Sequence, residues 1–292
     1  MIDFEPIDRH FAALMQRLGA DADAALAARL VSRATRLGDI CLDLAAWAGT
    51  SLDGLFTPDL ASWLRALKQS PVVGSAEDRT PMVLDARGRL YLRRYYDYEQ
   101  RLAGAIRNLS ARRQSVEWSK ARRAVTMLFP VQSGVTDDQA LAAVAALASG
   151  FTVITGGPGT GKTTTVAKVL ALILDQDHQT RIALAAPTGK AADRLQSAVR
   201  DAAARLDVSP EIKAAMPEEA FTIHRLLGPL PDSPYFKHHA RNPLPYDVVV
   251  VDEASMVDLA LMAKLVDAVP QSARLVLLGD RDQLASVQAG YV

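Results

Sequence analysis

Apolar positions along the chain change period repeatedly. From Asp8 to Leu18, and again from Ala22 to Trp47, alanine and leucine recur at helical spacing, which predicts two helices. Thr57-Pro58 places a proline at the first position of a third helix, Asp59 to Leu67. Val72-Val73-Gly74 and Met82 to Tyr91 read as short strands, with Asp85 to Gly88 as a hairpin tip. Helical spacing returns from Tyr91 to Leu109. Beyond residue 112 the pattern alternates. Strands are predicted at Thr152–Thr155, Arg181–Ala186, Asp247–Val251 and Arg274–Leu278, and helices at Gly161–Leu174, Gly189–Arg205 and Met256–Val269. YDVVVVD and RLVLLGD are near-continuous apolar runs, the mark of strands covered on both faces. With right-handed crossovers they form a doubly wound parallel sheet. The expected layout is a small, mainly helical domain over 1–112 and an α/β domain over 113–292. Seven of the 15 prolines fall between Asp207 and Pro245, which predicts an irregular insertion outside the core sheet.

Composition narrows the class. Hydrophobic residues make up 49% and charged residues 23%, and no apolar run approaches the ~20 residues of a membrane span. The N-terminus, MIDFEPIDRHF, is acidic and lacks a basic-then-apolar leader, so a cytoplasmic setting is expected. The single cysteine, Cys41, excludes an internal disulfide and a multi-cysteine zinc site, and reads as a small buried residue in a helix. Formal charge is zero, yet Arg101 to Arg123 holds seven bases against one acid, Glu117. Such a run suits a phosphate backbone or an acidic partner, and equally a solvated helix face. Tyr95, Tyr96 and Tyr98 are expected to pack against the hairpin rather than stack on bases.

The chemistry sits in the α/β part. Gly156, Gly157, Pro158, Gly159, Thr160, Gly161, Lys162, Thr163 and Thr164 satisfy the phosphate-loop spacing. They follow an apolar run, Phe151–Thr155, that reads as a buried strand, and they open a helix. Glycines let backbone N–H groups face phosphate oxygens. Lys162 supplies charge to the β/γ-phosphates, and the Thr163 hydroxyl can ligate Mg²⁺. Val248–Val251 deliver Asp252 and Glu253 at a strand end: Asp252 for Mg²⁺, Glu253 to orient or deprotonate the attacking water. Gln283, in GDRDQL, is placed to sense the γ-phosphate. Pro187, Thr188, Gly189 and Lys190 form a second strand–turn–helix anion site, best suited to a polynucleotide backbone. Thr222 and His224 lie in the proline-rich insertion as further DNA-contact candidates. His238 and His239 lack a third ligand, so no metal is assigned to them.

These blocks, in this order, resemble superfamily-one helicase signatures. Gly156–Thr163 is similar to motif I, Pro187–Ala192 to motif Ia, Asp252–Ser255 to motif II and Gly279–Leu284 to motif III. GGPGTGKTTTVAKVL, AAPTGKAADRL, TIHRLLG, FKHHARNPLPYDVVVVDEASMVDL and LLGDRDQLASVQAG resemble the RecD helicase family, the alpha subunits of exodeoxyribonuclease V (RecBCD). The likeness is close from about Gln139 onward. Over 1–112 it rests on LYLRRYYDYEQ. It implies a RecA-like P-loop ATPase using ATP and Mg²⁺, moving 5′ to 3′ on single-stranded DNA in double-strand-break repair beside RecB and RecC subunits. It also implies that Gln139 reads adenine and that 1–112 docks on the Chi-recognising subunit. A second RecA-like domain, with the arginines that complete the family's ATP site, is expected to be absent from these 292 residues, so the polypeptide alone is expected to be inactive as a helicase. A stand-alone RecD-like helicase and a nucleotide-gated scaffold are the alternatives.

Overall fold

A computed structural model describes residues 3–52, 54–130, 137–157, 161–279 and 289–290, and it divides into two compact units. The first comprises the chain up to Gln100, with Asp258–Ala260 and a short segment near the C-terminus. The second holds most of the remainder from Arg101. The division falls inside one long helix, ahead of the boundary expected at 112.

In the first unit the elements are α1 (Pro6–Arg17), α2 (Ala22–Arg36), β1 (Leu42–Asp43), α3 (Leu44–Trp47), β2 (Ser51–Leu52), β3 (Leu55–Phe56), α4 (Leu60–Gln69), β4 (Val73–Gly74), β5 (Met82–Leu84), β6 (Arg89–Leu92) and the start of α5 (Arg93–Ala111). Trp63, Leu67, Met82 and Leu90 are fully buried at its centre, and the Trp63 indole donates to the Asp23 carbonyl at 3.1 Å. The fully buried Asp8 carboxylate accepts from Ser32 Oγ (2.7 Å), Arg36 (3.3 Å) and the Glu5 amide (3.0 Å). The hairpin tip stands where the turn residues placed it. Asp85 accepts from the amides of Arg87 and Arg89, and Gly88 takes φ 78°. Tyr96 meets the hairpin through Tyr91, ring to ring edgewise at 5.4 Å.

The single helix expected over Ala22–Trp47 is instead two. Gly38, at φ 105°, closes α2: its amide donates to Thr35 and that of Asp39 to Ala34, the pair of bonds that ends a helix through a left-handed residue. Cys41 therefore lies in the bend after α2, half-buried rather than in a helix core.

The second unit continues with α6 (Trp118–Leu128), α7 (Asp138–Ala148), β7 (Phe151–Thr155), α8 (Lys162–Gln176), β8 (Ile182–Ala186), α9 (Gly189–Arg205), α10 (Pro210–Ala215), β9 (Ala220–Thr222), α11 (Ile223–Leu227), β10 (Val248–Val251), a 3₁₀ turn (Ala254–Met256), α12 (Leu259–Ala268) and β11 (Arg274–Gly279). The strands form one parallel sheet in the order β7-β11-β10-β8-β9. All four valines of β10 are fully buried. Val248 and Val250 pack with the α8 and α9 side of the sheet, and by strand alternation Val249 and Val251 face the opposite layer. The fold is thus the expected doubly wound α/β sheet.

Two further expectations need correction. The proline-rich stretch 207–245 is not wholly outside the sheet, because β9 pairs with β8 through Leu184↔Ala220 to Ala186↔Thr222. Three residues between prolines were too few to show a strand period. Nor is Phe151–Thr155 a buried strand. It lies at one edge of the described sheet, where Thr152 and Ile154 are buried and Val153 is 52% exposed.

Candidate functional site

The strands are parallel, so their C-terminal ends share one edge of the sheet, and the crossover turns there build the site. At the end of β7 the chain turns through Gly156 and Gly157 into α8, whose N-cap is Gly161. Gly161 takes φ 80° and ψ 17°, a left-handed conformation that an L side chain strains. Among the described residues the first α8 amide to bond back is that of Thr165, to the Gly161 carbonyl at 2.9 Å. The amides of Lys162, Thr163 and Thr164 precede it at the positive end of the helix dipole, a ready anion cradle. The Lys162 ammonium contacts the Gly156 carbonyl and, at 3.1 Å, that of Gly157. Gln139 stands on the first turn of α7, which Asp137 caps, and its side-chain amide lies against Gly161: a Cβ there would come within 3.2 Å of it. Pro158, Gly159, Thr160 and Gln283 lie outside the described residues.

β10 supplies the acids. The Asp252 amide donates to Ala185 of β8 at 2.9 Å, pinning the strand end, and its Oδ1 accepts the Glu253 amide at 2.9 Å. Burial pushes the Asp252 carboxyl above the usual carboxylate range, against the pull of the Glu253 N–H and the nearby cations of Lys162 and Arg194. Glu253 takes φ 51°, a left-handed conformation that costs a non-glycine residue on the order of 1–2 kcal/mol and tends to gather at working sites. Its Oε1 lies 3.5 Å from Arg194 Nη1.

A cleft of about 800 Å³ joins these groups. Gly157, Lys162, Thr163, Asp252 and Glu253 line it, as do Lys190 and Arg194 of α9. The volume is that of a small-molecule site. Thr163 and Asp252 bring a hydroxyl and a carboxylate into one cleft, the hard oxygen donors that Mg²⁺ takes when substrate phosphates complete its shell. The residues present therefore fit the ion. Among the described residues, no group of three or more His, Cys, Asp or Glu side chains forms a self-contained metal site.

The other predicted residues scatter around this centre. Lys190 lies in the same cleft as the phosphate loop. Thr188 caps α9 by accepting from the Ala191 amide at 3.2 Å, while Gly189 and Lys190 are exposed and Pro187 is half-buried. Thr222 caps α11, accepting from Arg225, and the exposed His224 meets Phe236 edgewise at 5.7 Å. His239 Nδ1 accepts the Arg241 amide, which makes it part of a turn. Of the basic run, Arg101 pairs with Asp267 at 3.2 Å and Lys120 with Asp175 at 3.8 Å, while Arg107, Arg112, Arg113, Arg122 and Arg123 are exposed. Arg194 was the residue missed. Its signal was its spacing: four residues after Lys190, it repeats on the same helix face. No helix among the described residues is long and apolar enough to cross a membrane.

Residues 139–289 match the family described as AAA domain, and residues 3–91 match that described as RecBCD enzyme subunit RecD, N-terminal domain. The chain is 47% identical to "RecBCD enzyme subunit RecD" of Mycolicibacterium smegmatis, over 99% of its own length and 51% of that protein's. It is 44% identical to the protein of the same name from Mycobacterium tuberculosis, over 98% and 49%. "ATP-dependent RecD2 DNA helicase" of Deinococcus radiodurans is 36% identical over 74% of this chain and 28% of that protein. The chain thus spans about half the length of the RecD relatives it matches.

Proposed function

The chain belongs to the RecD family, with an AAA domain behind a RecD N-terminal domain, and on that premise we propose that it carries the ATP-binding wall of a DNA motor. The motor is a 5′-to-3′ helicase subunit acting on single-stranded DNA beside RecB and RecC in double-strand-break repair, in the bacterial cytoplasm. One observation carries the reading: Lys162, Thr163, Asp252 and Glu253 converge in a single cleft at the C-terminal ends of the parallel strands.

Each residue then has a task. The α8 N-terminus and Lys162 hold the β- and γ-phosphates of ATP, the ammonium exchanging loop carbonyls for phosphate oxygens. Gln139, against the loop, reads adenine. Thr163 and Asp252 hold Mg²⁺, which supplies charge neutralisation across the transferred phosphate. Glu253 orients the attacking water, and Gln283 senses the γ-phosphate. Pro187, Thr188, Gly189, Lys190, Thr222 and His224 face the DNA backbone. Arginines from a second motor domain can contribute about 10³–10⁵ in rate.

The test is Lys162→Gln in the full-length subunit assembled with its partners, read on a 5′-tailed duplex. Loss of unwinding supports the motor; survival of unwinding refutes it and favours a nucleotide-gated scaffold. A stand-alone RecD-like helicase is the second reading, supported by the RecD2 likeness. The match over 3–91 favours the complex-bound form, and pull-down with RecB and RecC separates the two.

A further inference from the structure

We infer that Arg194 is a positioning residue for Glu253: in the absence of DNA it holds that carboxylate away from the attacking water, and DNA engagement at the start of α9 releases it. The inference rests on the motor reading of the same cleft. Four observations carry it. Glu253 Oε1 is 3.5 Å from Arg194 Nη1, so one of the two oxygens able to orient a water faces a guanidinium instead. The two partners are held unequally. The Glu253 side chain is 20% exposed and fixed on a left-handed backbone, whereas Arg194 is 74% exposed on a helix surface, so the arginine is the partner that can swing away. Arg194 also follows Lys190 by one helical turn, on the helix that opens with Thr188 and Gly189. A phosphate backbone drawn to that first turn meets Lys190 and competes with Glu253 for the Arg194 guanidinium. Finally, among the described residues Lys162 and Arg194 are the cations that act on Asp252, so moving Arg194 changes the charge around both acids at once.

An ion pair this open is weak enough to be exchanged on each cycle. Such pairs contribute up to about 1 kcal/mol, or about fivefold in an equilibrium. That sets the size of the effect.

The experiment uses the full-length motor and compares wild type, Arg194→Ala and Arg194→Lys. ATP turnover is measured with and without single-stranded oligo(dT). Oligo(dT) affinity is measured without nucleotide, and the affinity of a fluorescent non-hydrolysable ATP analogue is measured without DNA. Arg194→Ala is expected to raise DNA-free turnover about fivefold while leaving the DNA-saturated rate and analogue affinity unchanged. It is expected to bind oligo(dT) up to about fivefold more weakly, because the phosphate contact that displaces Glu253 is lost with the guanidinium. Arg194→Lys is expected to restore low DNA-free turnover. An unchanged ratio of DNA-saturated to DNA-free turnover overturns the inference. Weaker analogue binding also overturns it, placing Arg194 on the nucleotide, and weaker oligo(dT) binding with DNA-free turnover unchanged does so by making it a plain DNA contact. If wild type itself shows no stimulation by oligo(dT), the motor reading fails, separately from the role of Arg194.

Discussion

Gly161→Ala separates what the phosphate loop does for the fold from what it does for its ligand. Gly161 sits at φ 80° and ψ 17°, where an L-residue pays on the order of 1–2 kcal/mol. Alanine stiffens the unfolded chain and returns about 0.4–1 kcal/mol of that. Among the described residues the new methyl group meets only the end of the Gln139 side chain, at 3.2 Å, and a side-chain amide can give way by a few tenths of an ångström. The net cost to stability is therefore about 1 kcal/mol, a fall in Tm of about 2–4 °C for a domain of this size. The cost to nucleotide binding is larger. Gly161 aims the first-turn amides of α8, and one hydrogen bond to a charged group contributes about 1.5–3 kcal/mol, or tenfold and more in affinity. Relief of strain by a shift of the Gln139 amide would add a loss of adenine discrimination. The assay pairs thermal melts with titration of a fluorescent ATP analogue. Unchanged affinity would refute the cradle geometry. A fall in Tm beyond 10 °C would show that the strain is not local to the loop.

Three further outcomes follow from individual contacts. Asp252→Asn is expected to raise Tm at neutral pH while weakening Mg²⁺-dependent nucleotide binding. Burial raises the folded carboxyl above its unfolded value of 3.8, so stability falls as pH rises from that value through the folded one. The advantage of the variant should appear above that window and vanish below it in melts across pH, and a lower Tm at pH 7 contradicts the account. Asp8→Ala leaves Ser32 and the Glu5 amide without their acceptor and strips a buried charge from Arg36, for a loss of about 3 kcal/mol by chemical denaturation; a loss below about 1 kcal/mol contradicts it. Gly150→Ala drives a Cβ to 2.5 Å from the Leu109 carbonyl, a backbone atom that cannot move aside as a side chain would, so a loss of about 1–3 kcal/mol is expected from the same assay, and a neutral result contradicts the packing.

Much of this was legible in the residues because the informative spacings are local. The phosphate loop needs fixed intervals around Gly161 and Lys162, and the four buried valines of β10 announce both a covered strand and the acids at its end. What was hidden depended on partners distant in the chain. Phe151–Thr155 carries the composition of a buried strand, but its place at the edge of the sheet is decided by which strands pair with it. β9 is three residues long among prolines, and only its pairing with β8 makes it a strand. The end of α2 was readable in principle, since Gly38 is the expected left-handed closing residue, but the alanine-rich period on either side of it masked the stop. Arg194 falls within AAPTGKAADRL, but no separate role for it is legible there. Its role emerges only when α9 and the end of β10 are seen to line one cleft.

In the proposed motor, Glu253 acts on the water that attacks ATP in this cleft. Glu253→Gln in the full-length subunit tests it most directly, with ATP turnover measured at saturating single-stranded DNA and ATP-analogue affinity measured alongside. Wild-type affinity is expected, with turnover reduced about 10²–10⁴-fold, the usual contribution of a positioned general base. Turnover within a few-fold of wild type, at unchanged affinity, would contradict it.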